Sequence, residues 1–314
     1  MATHHTLTSQ PDNIQWGAFA AALPPVLEID DGDTVTIETL SGSEKQVPDD
    51  ARDEMLDDHR TLLATKSWIM PGHIMTGPVA VRGARPGDVL EVRVSAIELR
   101  QDWAWNSIEP LRGTLPEDFP DRRLMKLPLD RERKVGKLPW GVDLPLAPFF
   151  GVMGVAPPPN WGTITSIIPR AHGGNLDVKE FTDGVTMFFP VFVDGANFSC
   201  GDGHAVQGDG EVCLSAAETA LTGTFEFHIR RDMKLDLPRA ETATHYITLA
   251  FDPDLDDAAK TALREMIRLI RERSNLSAED AYSLCSFACD VRISQLVNQH
   301  KGCHAMLPKA ALHG

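Results

Sequence analysis

The segment Gly201-Asp-Gly-His-Ala-Val-Gln-Gly-Asp-Gly-Glu-Val212 places Asp202, His204, Gln207, Asp209 and Glu211 within ten residues and separates them with four glycines. Carboxylates and an imidazole are ligands for divalent metals, and they also serve as general acids and bases. Residues two apart on an extended segment face the same way, so Asp202 pairs with His204 and Asp209 with Glu211. A tight turn at Gly208 would aim both pairs at one cavity, and the glycines would let the backbone approach a bound ion closely. The set suits zinc or another divalent ion, calcium included, with an open coordination position. The plainer alternative is a polar hairpin whose acids are merely solvated.

Other chemistries fit less well. A dinucleotide fingerprint needs G-x-G-x-x-G between a strand and a helix, and acids beside a pyrophosphate would repel it. Acidic calcium-binding turns come in tandem, and this one stands alone. Asp252-Pro-Asp-Leu-Asp-Asp257 lacks the glycine and glutamate of an EF-hand and reads as acids at a helix start. A cysteine nucleophile at Cys200 is a rival, since His204 is close in sequence and a thiol needs a base to ionise. A non-catalytic, metal- or ligand-binding β-sandwich is a second rival.

Such a site must be held by a framework, and the first two thirds of the chain read as β. Thr34–Leu40, Val89–Ala96 and Thr224–Arg230 alternate apolar and polar residues with the period of a half-buried strand. Met187–Val193 is apolar throughout, with Pro190 marking a bulge or an edge. Residues 108 to 160 are Pro-rich and read as an excursion packed over the sheets. From Asp256 to Ser274, Ala259, Leu263, Met266, Ile267 and Ile270 form one helical face. Ser277 reads as the N-cap of a second helix running to about Asp290, and Val291–Ile293 returns to strand. The expected division is a β-rich region over 1–250 and an α+β subdomain over 251–314 packed on it.

With 314 residues and a net charge of −15, the chain offers no basic cluster for nucleic acid and an unfavourable surface for anionic membranes. It has no run long enough to span a bilayer and no signal-peptide pattern at Met1–Asp12. Five cysteines, an odd number, suit a reducing cytoplasm.

Asn197-Phe-Ser-Cys-Gly-Asp-Gly-His-Ala-Val-Gln-Gly-Asp-Gly-Glu-Val-Cys-Leu-Ser-Ala-Ala-Glu218 closely resembles the signature of the acetamidase/formamidase family. Thr76–Asp88, Pro169-Arg-Ala-His-Gly-Gly-Asn-Leu-Asp177, residues 24 to 40 and Gly302–Lys309 resemble further segments of that family, in family order. The resemblance implies a metal-dependent hydrolase of small linear amides that releases ammonia. It also implies a mainly β fold: a jelly-roll-like sandwich and a small barrel with a C-terminal α+β element. The family motif carries over onto Asp202, His204, Gln207, Asp209, Glu211 and Glu218, and onto Asn175 and Asp177. Cys200, Leu214, Ala217 and Cys303 depart from the family pattern without removing a proposed ligand.

On this footing Asp202, His204 and Glu211 are expected to hold the ion, zinc first. Asp209 or Glu218 is expected to take a proton from water and pass it to ammonia. Gln207 and Asn175 would hydrogen-bond the amide, and Asp177 would support His204 or ligate. His73 and His172 are accessory candidates by position; His228 reads as surface, and His304 as tail packing or pocket lining. The partner is a small neutral amide, and the expected assembly is a homodimer.

Overall fold

The computed structural model describes residues 2–312. It is mainly β, and two large sheets share one apolar core. The alternating segments join a nine-stranded sheet. Its order runs from His4–Leu7 through Thr34–Glu38, Leu221–Arg230, Val89–Leu99, Thr186–Pro190, Arg239–Glu241, His245–Asp252 and Lys301–Pro308 to Asp290–Gln295. Val35, Ile37, Leu90, Val92, Phe225 and Phe227 point inward from this sheet and are fully buried. The period of two in those segments therefore reports a real buried face. Burying each such side chain stabilises the fold by roughly 1.5–3 kcal/mol.

A six-stranded sheet closes the other side of the core and carries the chemistry. Gly173–Asn175, Phe149–Gly154, Phe198–His204, Ile74–Val81 and Ile14–Trp16 follow one another, with Leu27–Ile29 parallel to Ile74–Val81. Phe149, Phe150, Val79 and Phe198 contribute its half of the core. A four-stranded sheet built on Trp103–Ile108 and Arg123–Asp130 lies alongside.

Residues 108–160 differ from the expected excursion. They supply three strands of the four-stranded sheet and the Phe149–Gly154 strand at the centre of the site. Phe-Phe-Gly-Val-Met-Gly is buried at every position, so it shows no alternation to read. Trp103 and Trp105 are buried as their size suggests, but Trp140 is 63% exposed.

The C-terminal helix spans Leu255–Arg273, capped by Asp254, whose side chain accepts from the Asp256 and Asp257 amides. Its most buried face is Ala258, Ala262, Glu265, Met266, Leu269 and Ile270, shifted from the expected stripe, with Ala259, Leu263 and Ile267 at its margin. Ser277 caps the Ala278–Ala288 helix by accepting from the Asp280 amide at 3.0 Å. The nine-stranded sheet runs straight through residue 250, because Lys301–Pro308 pairs with His245–Asp252 along its whole length. Among the described residues no helix is long and apolar enough to cross a membrane.

Candidate functional site

Asp202 and His204 end the Phe198–His204 strand, and their side chains meet, His204 Nε2 lying 3.4 Å from Asp202 Oδ2. Phe149 lies opposite His204 in the register and meets its ring edge-on, with centroids 5.0 Å apart. Gly151 forms the floor. A Cβ built on it would lie 2.5 Å from Asp177 Oδ1, 2.7 Å from Asp202 Oδ2 and 2.9 Å from His204 Cε1, so a side chain there would fill the space between these three side chains. Asp177 follows the next strand, its amide donating to the Gly151 carbonyl at 3.2 Å. Glu218 is held by backbone bridges to both Trp105 and His204. Asp177, Asp202 and Glu211 all sit at positive φ (49°, 54° and 44°), a conformation that non-glycine residues adopt at a cost and that recurs at functional sites.

The result is one imidazole among four carboxylates. From His204 Nε2, Glu218 Oε1 lies at 3.2 Å, Asp202 Oδ2 at 3.4 Å, and Asp177 Oδ1 and Glu211 Oε1 at 4.0 Å each. All five residues are buried. His73 stands at the rim, its Nε2 3.7 Å from Asp202 Oδ2 and its backbone amide donating to Ser166 Oγ. Among the described residues, His73 and His204 are the basic side chains within 4 Å of these acids.

The electrostatics follow from that imbalance. Burial first, then the charge of Asp177, raises Glu211 well above the ordinary glutamate range. Burial, reinforced by Asp202, pushes Glu218 to about 7 against the pull of His204. Burial likewise lifts Asp177 to about 6. For Asp202, burial is outweighed by His73 and His204, so it stays below the usual carboxylate range. Burial would also lower His204, but Glu218 and Asp202 overcome it and raise that ring well above its ordinary value.

Three buried polar atoms here lack a hydrogen-bond partner: His204 Nε2, Asp177 Oδ1 and Glu211 Oε2. Orphaned buried atoms are costly unless something satisfies them. Asp177, His204 and Glu211 form one set with metal-ligand spacing, and Asp202, His204 and Glu218 a second that shares His204. Donor type, charge and open atoms all fit a divalent cation.

Not every residue expected here arrives. Asp209 lies outside the cluster on the exposed turn, where Lys179 Nζ holds it at 2.8 Å. The turn at Gly208 swings Glu211 inward and leaves Asp209 outside, so the i, i+2 pair is split by backbone that is not extended. Asn175 is buried in the neighbouring strand with Oδ1 unpartnered. His172 is buried edge-on to Phe19 at 4.9 Å, and burial together with Arg170 lowers it to about 3, a neutral ring. Gln207 reaches His204 Nδ1 at 2.9 Å.

Sequence reasoning missed Gly151, Ser294 and Asn298. Asn298 Nδ2 donates to Asp177 Oδ2. The C-terminal segment thus reaches into the site, and nothing in its local pattern announces that. Cys200 is buried in the main core, and burial pushes its thiol far above the ordinary range, so it is held as a small protonated hydrophobe. A surface cavity of about 650 Å³ between Lys45, Arg52, Arg122 and Leu124 shares no residue with the cluster.

A second cluster lies beyond Gln207. His304 Nε2 is 3.2 Å from Glu180 Oε2, and His304 Nδ1 is 2.8 Å from Ser294 Oγ. Arg292 donates to Glu180 Oε1 at 2.9 Å. Glu180, Asp209 and His304 also have metal-ligand spacing.

The family model of the acetamidase/formamidase family matches residues 4–162 and 160–313. An acetamidase of Mycolicibacterium smegmatis is 26% identical over 238 residues, 57% of this chain and 57% of that protein, so the chain spans little more than half the length of that relative. A crystal structure of a predicted acetamidase/formamidase from Thermoanaerobacter tengcongensis is 29% identical with a TM-score of 0.87, covering 99% of this chain and 98% of that one. An acetamidase structure from Bacillus halodurans is 32% identical with a TM-score of 0.83, covering 96% and 97%. With matched segments spread from end to end of the sequence, this chain belongs to the acetamidase/formamidase family.

Proposed function

We propose that this chain hydrolyses small linear amides to a carboxylic acid and ammonia with the help of one divalent ion, zinc first. The observation that carries this reading is the His204 cluster, where four buried carboxylates face one imidazole. Burying that much negative charge is very unfavourable unless a cation compensates it. His204 and Glu211 would hold the ion together with Asp177, whose open atoms complete that set, and the expected ligand Asp202 would join from the set that shares His204. When bound, such an ion polarises a carbonyl and lowers the pKa of water from about 15.7 towards about 7.

The remaining work falls to the protein. Glu218 is the general base: its Oε1 lies 3.2 Å from His204 Nε2, beside the proposed ion, and in the metal-free protein burial and Asp202 raise it above the ordinary glutamate value against the pull of His204. Its Oε1 accepts from the Ala216 amide at 3.0 Å, and Ser41 Oγ lies 3.4 Å from Oε2. Those contacts hold the carboxyl in place while it takes the proton from water and returns it to the departing nitrogen. Water adds to the amide carbon, the C–N bond breaks, and ammonia leaves with the returned proton. Asn175, buried with Oδ1 open, is the candidate to accept from the substrate N–H.

Ammonia release from a panel of short amides tests the reading. Turnover abolished by chelation and restored by Zn²⁺, Mn²⁺ or Ca²⁺ supports it. Turnover indifferent to chelator, or abolished by Cys200→Ala with metal still bound, removes it. Under the same reading the compartment is the cytoplasm, consistent with five free cysteines. The proposed assembly is a homodimer, testable by light scattering.

A further inference from the structure

The sequence aims Gln207 at the substrate, but its side chain is already committed within the protein. Nε2 lies 2.8 Å from the Asp177 carbonyl oxygen and 3.3 Å from the Ser294 carbonyl oxygen. Carbonyls only accept, so two independent partners fix the nitrogen end of the amide there. Oε1 is then turned to His204 Nδ1 at 2.9 Å. An amide oxygen also only accepts, so Nδ1 must carry a proton. The other ring nitrogen, Nε2, is the one that faces Asp177, Asp202, Glu211 and Glu218.

We propose that Gln207 is a positioning residue that locks His204 with its proton on Nδ1 and so presents the Nε2 lone pair to the cation. The role rests on the metal reading above, but the lock itself rests on hydrogen bonds alone. The same amide clamps the carbonyl of Asp177, whose backbone sits at φ 49°. One buried side chain therefore sets the ring of one candidate ligand and the backbone of another. Ser294, the third anchor, also accepts from the Gly210 amide at 3.0 Å, one residue before Glu211. The C-terminal strand is thereby tied to both. Partners that orient a metal-bound histidine typically change metal affinity about 10- to 100-fold when removed.

The test uses the full chain labelled with ¹⁵N-histidine, first free of metal. The His204 Nδ1–H, assigned by its loss in His204→Asn, is expected as a downfield proton that exchanges slowly with solvent. Gln207→Glu keeps an acceptor and should keep that proton protected. Gln207→Met removes the acceptor and should lose it, a signature that loss of packing alone does not produce. On adding Zn²⁺, wild type should retain Nδ1–H while Nε2 loses its proton. Gln207→Met should then bind Zn²⁺ about 10- to 100-fold more weakly in competition with a chelator. An unprotonated Nδ1 in wild type, or equal protection in Gln207→Met, overturns the lock. If Gln207→Met does not fold, Gln207→Glu decides alone: its stronger, charged acceptor should move the still-protected Nδ1–H further downfield, and loss of protection or an unchanged shift overturns the lock. Should the protonation pattern hold but no divalent ion bind wild type, the lock stands and the metal reading fails.

Discussion

Two histidine–carboxylate clusters flank Gln207, and they differ in how their charge is balanced. Around His204, four buried acids meet no arginine or lysine among the described residues, and their protonation is driven upward at Asp177, Glu211 and Glu218. Around His304, each acid has its own cation: Arg292 on Glu180 and Lys179 on Asp209. Burial alone would raise Glu180, but His304 at 3.2 Å, with Lys179 nearby, outweighs burial and holds it below the ordinary glutamate value. Both clusters have metal-ligand spacing. Spacing therefore does not distinguish a site from a structural ion pair. On the proposed reading uncompensated charge does, because a neutralised cluster gains little from admitting a further cation.

The sharpest way to break this contrast is to disable one acid in each cluster. Glu218→Gln is expected to lower kcat for amide hydrolysis by about 10²- to 10⁴-fold, the usual span for a lost general base. Glu180→Gln should change kcat by no more than about threefold, since its partners are structural and lie outside the reacting group. Steady-state ammonia release for both variants decides the matter, and equal losses would erase the distinction.

Next in size is Gly151→Ala. An alanine Cβ would sit within 3.0 Å of Asp177 Oδ1, Asp202 Oδ2 and His204 Cε1. Cation affinity, measured by chelator competition, is expected to fall about 10-fold or more. Melting of the metal-free protein should shift only by the cost of overpacking, about 1–3 kcal/mol. Unchanged affinity would mean that the space over Gly151 is not where the ion sits.

The pH dependence of the metal-free protein separates the clusters without mutation. Asp177 at about 6 and Glu218 at about 7 are raised above their ordinary values of 3.8 and 4.5. Between those limits the folded chain holds more protons than the unfolded one, so stability falls as pH rises from about 4 to about 7. Glu180 is shifted the other way: it stabilises above its unfolded value and loses that contribution as pH falls. A melting temperature that drops between pH 5 and 7.5, and recovers on adding Zn²⁺ more at pH 7.5 than at pH 5, is the expected result. A melting temperature that climbs over that interval would contradict the balance drawn for His204.

What the sequence reveals divides along the same line. Asp202 and His204 are legible because both stay within one paired strand, which keeps i, i+2 side chains on a shared face even with Asp202 at φ 54°. Glu211 is legible as a ligand type but not as the partner of Asp209, since backbone at φ 44° obeys no strand period. Gly151 hides in a run buried on both faces, where alternation vanishes. Ser294 and Asn298 are more than 80 residues from the groups they hold, and contacts of that range leave no local pattern. Mainly β character, the two C-terminal helices and the Ser277 cap are local properties and could be read from the chain. Family resemblance supplied Glu218, which its own neighbourhood does not single out.

The smallest effect tests the charge-balance argument itself. The Lys179–Asp209 pair is about one third exposed on both sides, so Lys179→Met should cost less than about 1 kcal/mol. It should leave ammonia release unchanged and create no cation site, because Arg292 still neutralises Glu180. Removing both cations in Lys179→Met/Arg292→Met leaves His304, Glu180 and Asp209 uncompensated, with ligand atoms within 4.8 Å of one another. A second, weaker Mn²⁺ site is then expected by calorimetry. If the double variant binds no additional ion, geometry and burial at His304 are insufficient even without competing charge, and the four-acid cage at His204 owes its character to more than missing neutralisation.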